Sequence, residues 1–159
     1  MSGDDLPVLG QGFTWQELHV GQRFRTFRRT IHEADLINFV TVTGMLEGLF
    51  IDASAAADGI GGRPVPAALT YALIEGFILQ SMIRGTGIAL LSCTQEILAP
   101  VRVGDTIHAV VEVDAVRPTR SGRGIVDSTI TVFNQRQDEV LKYTARRMLA
   151  GAPTERQPE

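Results

Sequence analysis

The segment PAALTYALIEGFILQSMIR, residues 66–84, sets the architecture. Pro66 suits the first turn of a helix, where a missing N–H costs nothing. After it, Leu69, Leu73, Ile74, Phe77, Ile78, Leu79, Met82 and Ile83 fall on nearly every side of a helix running from Pro66 to Arg84. A helix without a wide polar face is a buried one, so something in the chain must wrap around it. Tyr71 and Glu75 stand one helical turn apart within this apolar run. A carboxylate placed there needs a partner or a raised pKa.

Downstream, strand-like runs follow at residues 88–98, 105–117, 124–135 and 139–149. In the second, Ile107, Ala109, Val111, Val113 and Ala115 alternate with His108, Glu112 and Asp114. In the third, Val126, Ile130 and Val132 share a face opposite Asp127, Thr129 and Thr131. Period-two alternation marks an antiparallel sheet with one face on a core. Gly104-Asp105, Ser121-Gly122 and Gln137-Asp138 supply the turns. Upstream, residues 24–31 form a further strand, which makes five or more. The fold class is therefore α+β, a curved antiparallel sheet around one long buried helix, the arrangement called the hotdog fold. Such a sheet leaves a strand edge and an apolar flank to cover, which favours a homodimer or a higher homo-oligomer.

Thr30, with Glu33 completing a capping box, starts a first helix over residues 32–43, and Gly44 stops it. From Met45 to Arg63 the pattern is irregular. Asp52 is placed to cap a short helical turn through Ala53, Ala55, Ala56 and Ala57, before the glycines at 59, 61 and 62 break it. Residues 1–12 and 151–159 are polar or glycine-rich tails, which leaves residues 13–150 as a single domain.

Composition narrows the function. The net charge is −3, from 15 basic and 18 acidic residues. Arg23, Arg25, Arg28 and Arg29 are split between strand faces and read as solvated edges, so a nucleic-acid surface is not expected. The lone Cys93 excludes an internal disulfide, and Leu90, Leu91, Ile97 and Leu98 around it suggest an inert core thiol. His19, His32 and His108 lie in separate segments without metal-ligand spacing, with His19 and His108 read as exposed, so no metal is expected. No span is apolar enough for a membrane and no leader pattern opens the chain, which gives a cytoplasmic expectation.

Two stretches then carry a resemblance. FTWQELHVGQRFRTFRRTIHEADLINFVTVTG, starting at Phe13, and PVRVGDTIHAVVEV, residues 100–113, are similar to the MaoC-like (R)-specific enoyl-CoA hydratases and dehydratases. Between them, GGRPVPAALTYALIEG falls where that family begins its central helix. The resemblance spans about residues 13–149. It implies the hotdog fold, an acyl-CoA thioester as substrate or ligand, a place in fatty acid metabolism, and no further cofactor.

The resemblance breaks where the family's chemistry lies. The family's turn after the first helix reads approximately Gly-Asp-x-Asn-Pro-x-His-x-Asp. Residues 44–52 here read GMLEGLFID. Without gaps, Met45 stands for the catalytic Asp and Phe50 for the catalytic His, and neither has a proton to exchange. At the start of the central helix, the family's His-Gly-Met falls on Ala67, Ala68 and Leu69. A backbone N–H there, such as that of Ala68, still offers a donor to a thioester carbonyl. The substrate-contacting residues implied are thus Met45, Phe50, Ala67, Ala68 and Tyr71.

Glu47, beside the lost pair, is either a solvated loop carboxylate or a relocated general base. Glu75 is a hydrogen-bonded structural group or a second catalytic candidate. Arg63, Arg84, Arg120 and Arg123 are available for CoA phosphates. Three functions stay open: a hydratase or dehydratase homologue without the usual Asp/His pair, a hotdog thioesterase working through one carboxylate, and a non-catalytic acyl-CoA-binding or partner subunit.

Overall fold

The computed structural model describes residues 8–55 and 61–153. The outer parts of both tails (1–7 and 154–159) and the stretch 56–60, with Ala56, Ala57 and Gly59, lie outside the described residues. Six strands form one antiparallel sheet: β1 (Arg23–Arg25), β2 (Arg29–Thr30), β3 (Gly87–Ile97), β4 (Thr106–Pro118), β5 (Gly124–Phe133) and β6 (Glu139–Leu149). Their order is β1-β4-β5-β6-β3, with β2 also on β4. The expected strand over 24–31 is two short pieces on one neighbour, because Thr26 breaks the ladder. Its Oγ accepts from the Ala109 N–H at 2.9 Å, in place of a backbone carbonyl.

The helices are α1 (Glu33–Thr43), α2 (Gly48–Ile51) and α3 (Ala67–Leu79). The start of α1 differs from the expected cap. His32 is the N-cap, and its N–H donates to the Asp35 carboxylate at 2.8 Å. Thr30 instead meets the Thr106 hydroxyl at 2.8 Å, across the β2–β4 pair. Gly44 ends α1 in the left-handed region at φ 74°, a conformation glycine adopts without a Cβ penalty.

Helix α3 packs on the sheet face formed by alternating residues of β4, β5 and β6. Ile74, Phe77 and Ile78 are enclosed with Val111, Ile130, Leu141 and Tyr143 in one core. Burying each large apolar side chain there contributes about 1.5–3 kcal/mol. This is the hotdog arrangement, with two corrections. The helix stops at Leu79, not Arg84; Gln80–Thr86 continue as turns, with the Ser81 hydroxyl bonded back to the Phe77 carbonyl at 2.5 Å. Nor is it covered all round, for Ala72 and Leu79 are exposed.

Strand β3 corrects another expectation. It pairs only with β6 and stands at the end of the sheet, so Leu90, Leu91, Ile97 and Leu98 are each more than 40% exposed rather than core. Cys93 is half-buried between them.

His108 is likewise not exposed. It is 5% accessible and stacks on Phe133 with ring centroids 5.5 Å apart. Loss of solvent, then the nearby Arg28 and Arg25, hold its pKa below the usual 6.5. A histidine whose folded pKa is depressed contributes stability above its unfolded pKa, which is lost as pH falls through the folded value. Chemical denaturation should therefore give a lower midpoint at pH 5 than at pH 7.5, and His108→Phe should flatten that difference. An unchanged pH slope in the variant would place the acid sensitivity elsewhere.

Candidate functional site

The amino end of α3 is fixed before the helix begins. Residues 63–65 pair with the 101–103 segment: Val65 N–H donates to Val101 O at 2.9 Å, and Val103 N–H to Arg63 O at 3.0 Å. Pro66 then takes the N-cap with φ −55° and ψ 136°. Leu69 N–H and Thr70 N–H both turn back to Pro66 O. No described carbonyl accepts from Ala67 or Ala68, the first two donors of the helix. Free N–H groups at the positive end of a helix dipole form a ready oxyanion or carbonyl site.

Arg63 ties the 47–52 turn to this place. Its Nε and Nη2 donate to the Phe50 carbonyl at 3.0 and 2.5 Å, and its Nη1 pairs with Glu33. Glu33, expected to cap α1, therefore anchors Arg63. The carbonyl of residue 50, the position implied for a histidine, is clasped by a residue four places before Ala67. Sequence reasoning assigned Arg63 only to CoA phosphate. Its placement before Pro64 and opposite Glu33 was the available signal for this structural role.

The turn itself is open. Met45 is 39% exposed and Leu46 57%, while Phe50 is half-buried against the core. Glu47 is exposed and caps α2 without a side-chain hydrogen bond. Helix α2 precedes Asp52; the helical turn expected after Asp52 opens at Ala55, whose N–H donates to the Asp52 carbonyl at 3.2 Å, and its later residues lie outside the described ones. Asp52 ends α2, and its carboxylate accepts from the Ser54 N–H at 2.8 Å and hydroxyl at 2.6 Å. Those bonds hold its pKa below the ordinary carboxylate value.

Beside α3 runs a cavity of about 510 Å³. Tyr71, Ala72, Glu75, Gly76 and Leu79 form its helix wall, and β3 the opposite one through Ile88 and Leu90. Glu75 accepts from the Tyr143 hydroxyl at 2.7 Å and from Arg147 Nη2 at 2.5 Å. Tyr71 meets Tyr143 edge to face at 5.1 Å. Burial, then the Glu75 carboxylate and Cys93, push the Tyr71 phenol up to about 12. The same first two causes raise Tyr143. Both therefore stay protonated and act as hydrogen-bond donors.

The structure thus brings Tyr71 and Glu75 together on one cavity wall, while Met45, Glu47, Phe50, Ala67 and Ala68 do not line it. Tyr143 and Arg147 had escaped sequence reasoning. Their signal lies in β6, where Leu141, Tyr143, Ala145, Arg147 and Leu149 form the inward stripe. An arginine in that stripe matches a glutamate on the buried helix. Arg84, Arg120 and Arg123 lie towards the carboxyl end of α3, where Gly124 pairs with Leu149 and Leu149 with Gly87. Within one protomer they are far from Ala67 and Ala68.

Comparison with known proteins agrees with this frame. A protein-family model described as FAS1-like, dehydratase domain region, matches residues 18–143. The chain is 29% identical over 120 residues to an (R)-specific enoyl-CoA hydratase of Aeromonas caviae, covering 76% of this chain and 87% of the relative. It is 27% identical over 106 residues to a 3-hydroxybutyryl-CoA dehydratase of Methylorubrum extorquens, covering 67% of each. The crystal structure of a MaoC-like dehydratase from Rhodospirillum rubrum superposes with a TM-score of 0.80 at 26% identity, over 90% of this chain and 100% of that one. With a six-stranded sheet packed on α3 and a family match across most of its length, the chain belongs to the FAS1-like dehydratase family, in the MaoC-like hotdog group.

Proposed function

We propose that the protein is a hydratase/dehydratase homologue that binds an acyl-CoA thioester without the usual Asp/His pair. The thioester carbonyl sits on the Ala67 and Ala68 N–H groups, and the acyl chain lies in the cavity beside α3. The observation that carries this reading is the pair of unaccepted N–H donors at the head of α3, whose body from Tyr71 to Leu79 lines a largely apolar cavity. Donors aimed at a carbonyl oxygen stabilise negative charge as it develops there. Proton transfer is the weak step, because Met45 and Phe50 offer neither acid nor base. Glu47 is the carboxylate left to activate water.

The test uses octanoyl-CoA and crotonyl-CoA. Saturating octanoyl-CoA should raise the melting temperature, and at a hundredfold excess over Kd the stabilisation is about 2.7 kcal/mol. Crotonyl-CoA should lose its enoyl absorbance slowly, and Glu47→Gln should lower that rate further while leaving the thermal shift intact. Release of free thiol instead would assign hydrolysis. An unchanged melting temperature with acyl-CoAs of every chain length would remove the thioester reading.

A second copy of the chain is the proposed cover for β3. The unpaired edge and the exposed Ile88, Leu90, Leu91 and Ile97 present an apolar strand that soluble proteins seldom leave open. Sedimentation equilibrium should give twice the chain mass, and Leu90→Lys with Ile97→Lys should shift it to the single-chain value. A single-chain mass for the unaltered protein at high micromolar concentration would count against the homodimer.

A further inference from the structure

We propose that Arg84 of the partner subunit binds the CoA phosphates of the thioester held at the head of α3. The inference deepens the acyl-thioester reading, and rests on it and on the pairing of two copies along β3. Within its own protomer Arg84 is at the wrong end. The 13 residues of α3, about 20 Å along the axis, separate it from Ala67.

Phosphates call for a guanidinium that is not already committed. At the head end of the protomer, Arg63 holds the Phe50 carbonyl and Glu33, and Arg102 is engaged as well. Arg84 is exposed and enters none of the described ion pairs. Its backbone is held firmly. Gly12 N–H donates to Arg84 O and Phe13 N–H to Met82 O, each at 2.8 Å. The approach is so close that a Cβ on Gly12 would lie 2.4 Å from the Arg84 nitrogen.

The chain path decides where a second copy carries this arginine. Residues 82–84 lead through a turn into the start of β3 at Gly87. The end of β3 at Ile97 leads to 101–103, the segment paired with 63–65 before α3. Helix and strand therefore run in opposite directions. Two copies joined along β3 are related by a two-fold axis either perpendicular to the sheet or parallel to the strands. The perpendicular axis pairs β3 antiparallel with its copy and keeps both α3 helices on one face, where each closes over the other's exposed Leu79, Ile88 and Leu90. The parallel axis puts the second helix on the opposite face and leaves those side chains open. In the antiparallel pair the start of each β3 lies beside the end of the other, so the partner's Arg84 arrives at the head end of α3. Arg120 and Arg123 sit in the β4–β5 turn, and β5 is two strands in from the seam, about 10 Å further away.

Titration calorimetry with octanoyl-CoA and octanoyl-pantetheine, which lacks the phosphates, tests the proposal. The unaltered protein should prefer octanoyl-CoA, and Arg84→Gln should cut that preference about tenfold, the worth of a charge-assisted hydrogen bond. An undiminished preference in the variant overturns the role of Arg84 and leaves the thioester reading standing. Binding of neither ligand by the unaltered protein overturns both. Two mixed dimers, purified through different tags on the two chains, then assign the arginine to its chain. Ala68→Pro removes an N–H at the head of α3 in a first turn that tolerates proline. With Ala68→Pro on one chain and Arg84→Gln on the other, each dimer should keep a single site of full octanoyl-CoA affinity. With both substitutions on the same chain, no such site should remain. The reverse pattern places Arg84 with its own chain's site and overturns the partner's contribution.

Discussion

Replacing Met45 by Asp and Phe50 by His together should raise the hydration rate of crotonyl-CoA by about 10²–10⁴-fold, the contribution expected of positioned acid–base catalysis. The frame for that chemistry is already present. Helix α1 ends at Gly44 in a left-handed turn, so residue 45 leaves the helix at a defined angle. The single turn of α2 carries position 50, and Arg63 clasps its carbonyl, linking it to the segment that leads into α3. Met45 is partly exposed and tolerates a carboxylate at little cost. Phe50 packs half-buried on the core, so an imidazole in its place loses some apolar contact, and a modest fall in melting temperature should accompany the gain.

Either substitution alone should recover only a small part of the rate, since groups that act as a unit are strongly non-additive. The measurement is initial rate at saturating crotonyl-CoA, with octanoyl-CoA binding as a control for the site. If the double variant folds, binds octanoyl-CoA and hydrates no faster, positions 45 and 50 are not where the missing pair belongs.

How much of this was legible beforehand varied with the kind of residue. Strands β4, β5 and β6 lie within two residues of their expected bounds, because each has one face on α3 and alternates accordingly. Alternation says nothing about sheet edges. Leu90, Leu91, Ile97 and Leu98 read as core by composition, yet their exposure follows from β3 lying last in the strand order. A one-sequence argument cannot see that order.

The capping of α1 was misread for a related reason. Thr30 and Asp35 both have local partners available, and the β2–β4 pairing claims Thr30 first. At the site, the Ala68 donor was legible because Pro66 fixes the helix start, and the structure adds the vacant Ala67 N–H beside it. The Glu75 partner set was not, because Tyr143 and Arg147 are about seventy residues away and only the sheet register brings them under the helix.

That long-range trio carries the largest expected effect on stability. Glu75→Leu alone should cost about 3–5 kcal/mol, because it strands Arg147 as a buried and uncompensated charge. Arg147→Leu alone should cost a similar amount by stranding Glu75. The two together should cost less than either. Well-packed apolar residues of similar volume often replace a buried pair with little loss or a gain. What remains in the double variant is the Tyr143 hydroxyl, 1% accessible as a residue and deprived of Glu75. An orphaned buried hydroxyl costs about 1–3 kcal/mol, and adding Tyr143→Phe should recover it. Urea denaturation of the five proteins gives the full cycle, with the slope m checked for constancy so that midpoints report stability. The physical content is the sign of the coupling: single losses large, combined loss small. If the single and double losses simply add, the pair makes no net electrostatic contact in solution. The carboxylate and guanidinium would then each have solvent, and the charged end of the cavity would not exist as described.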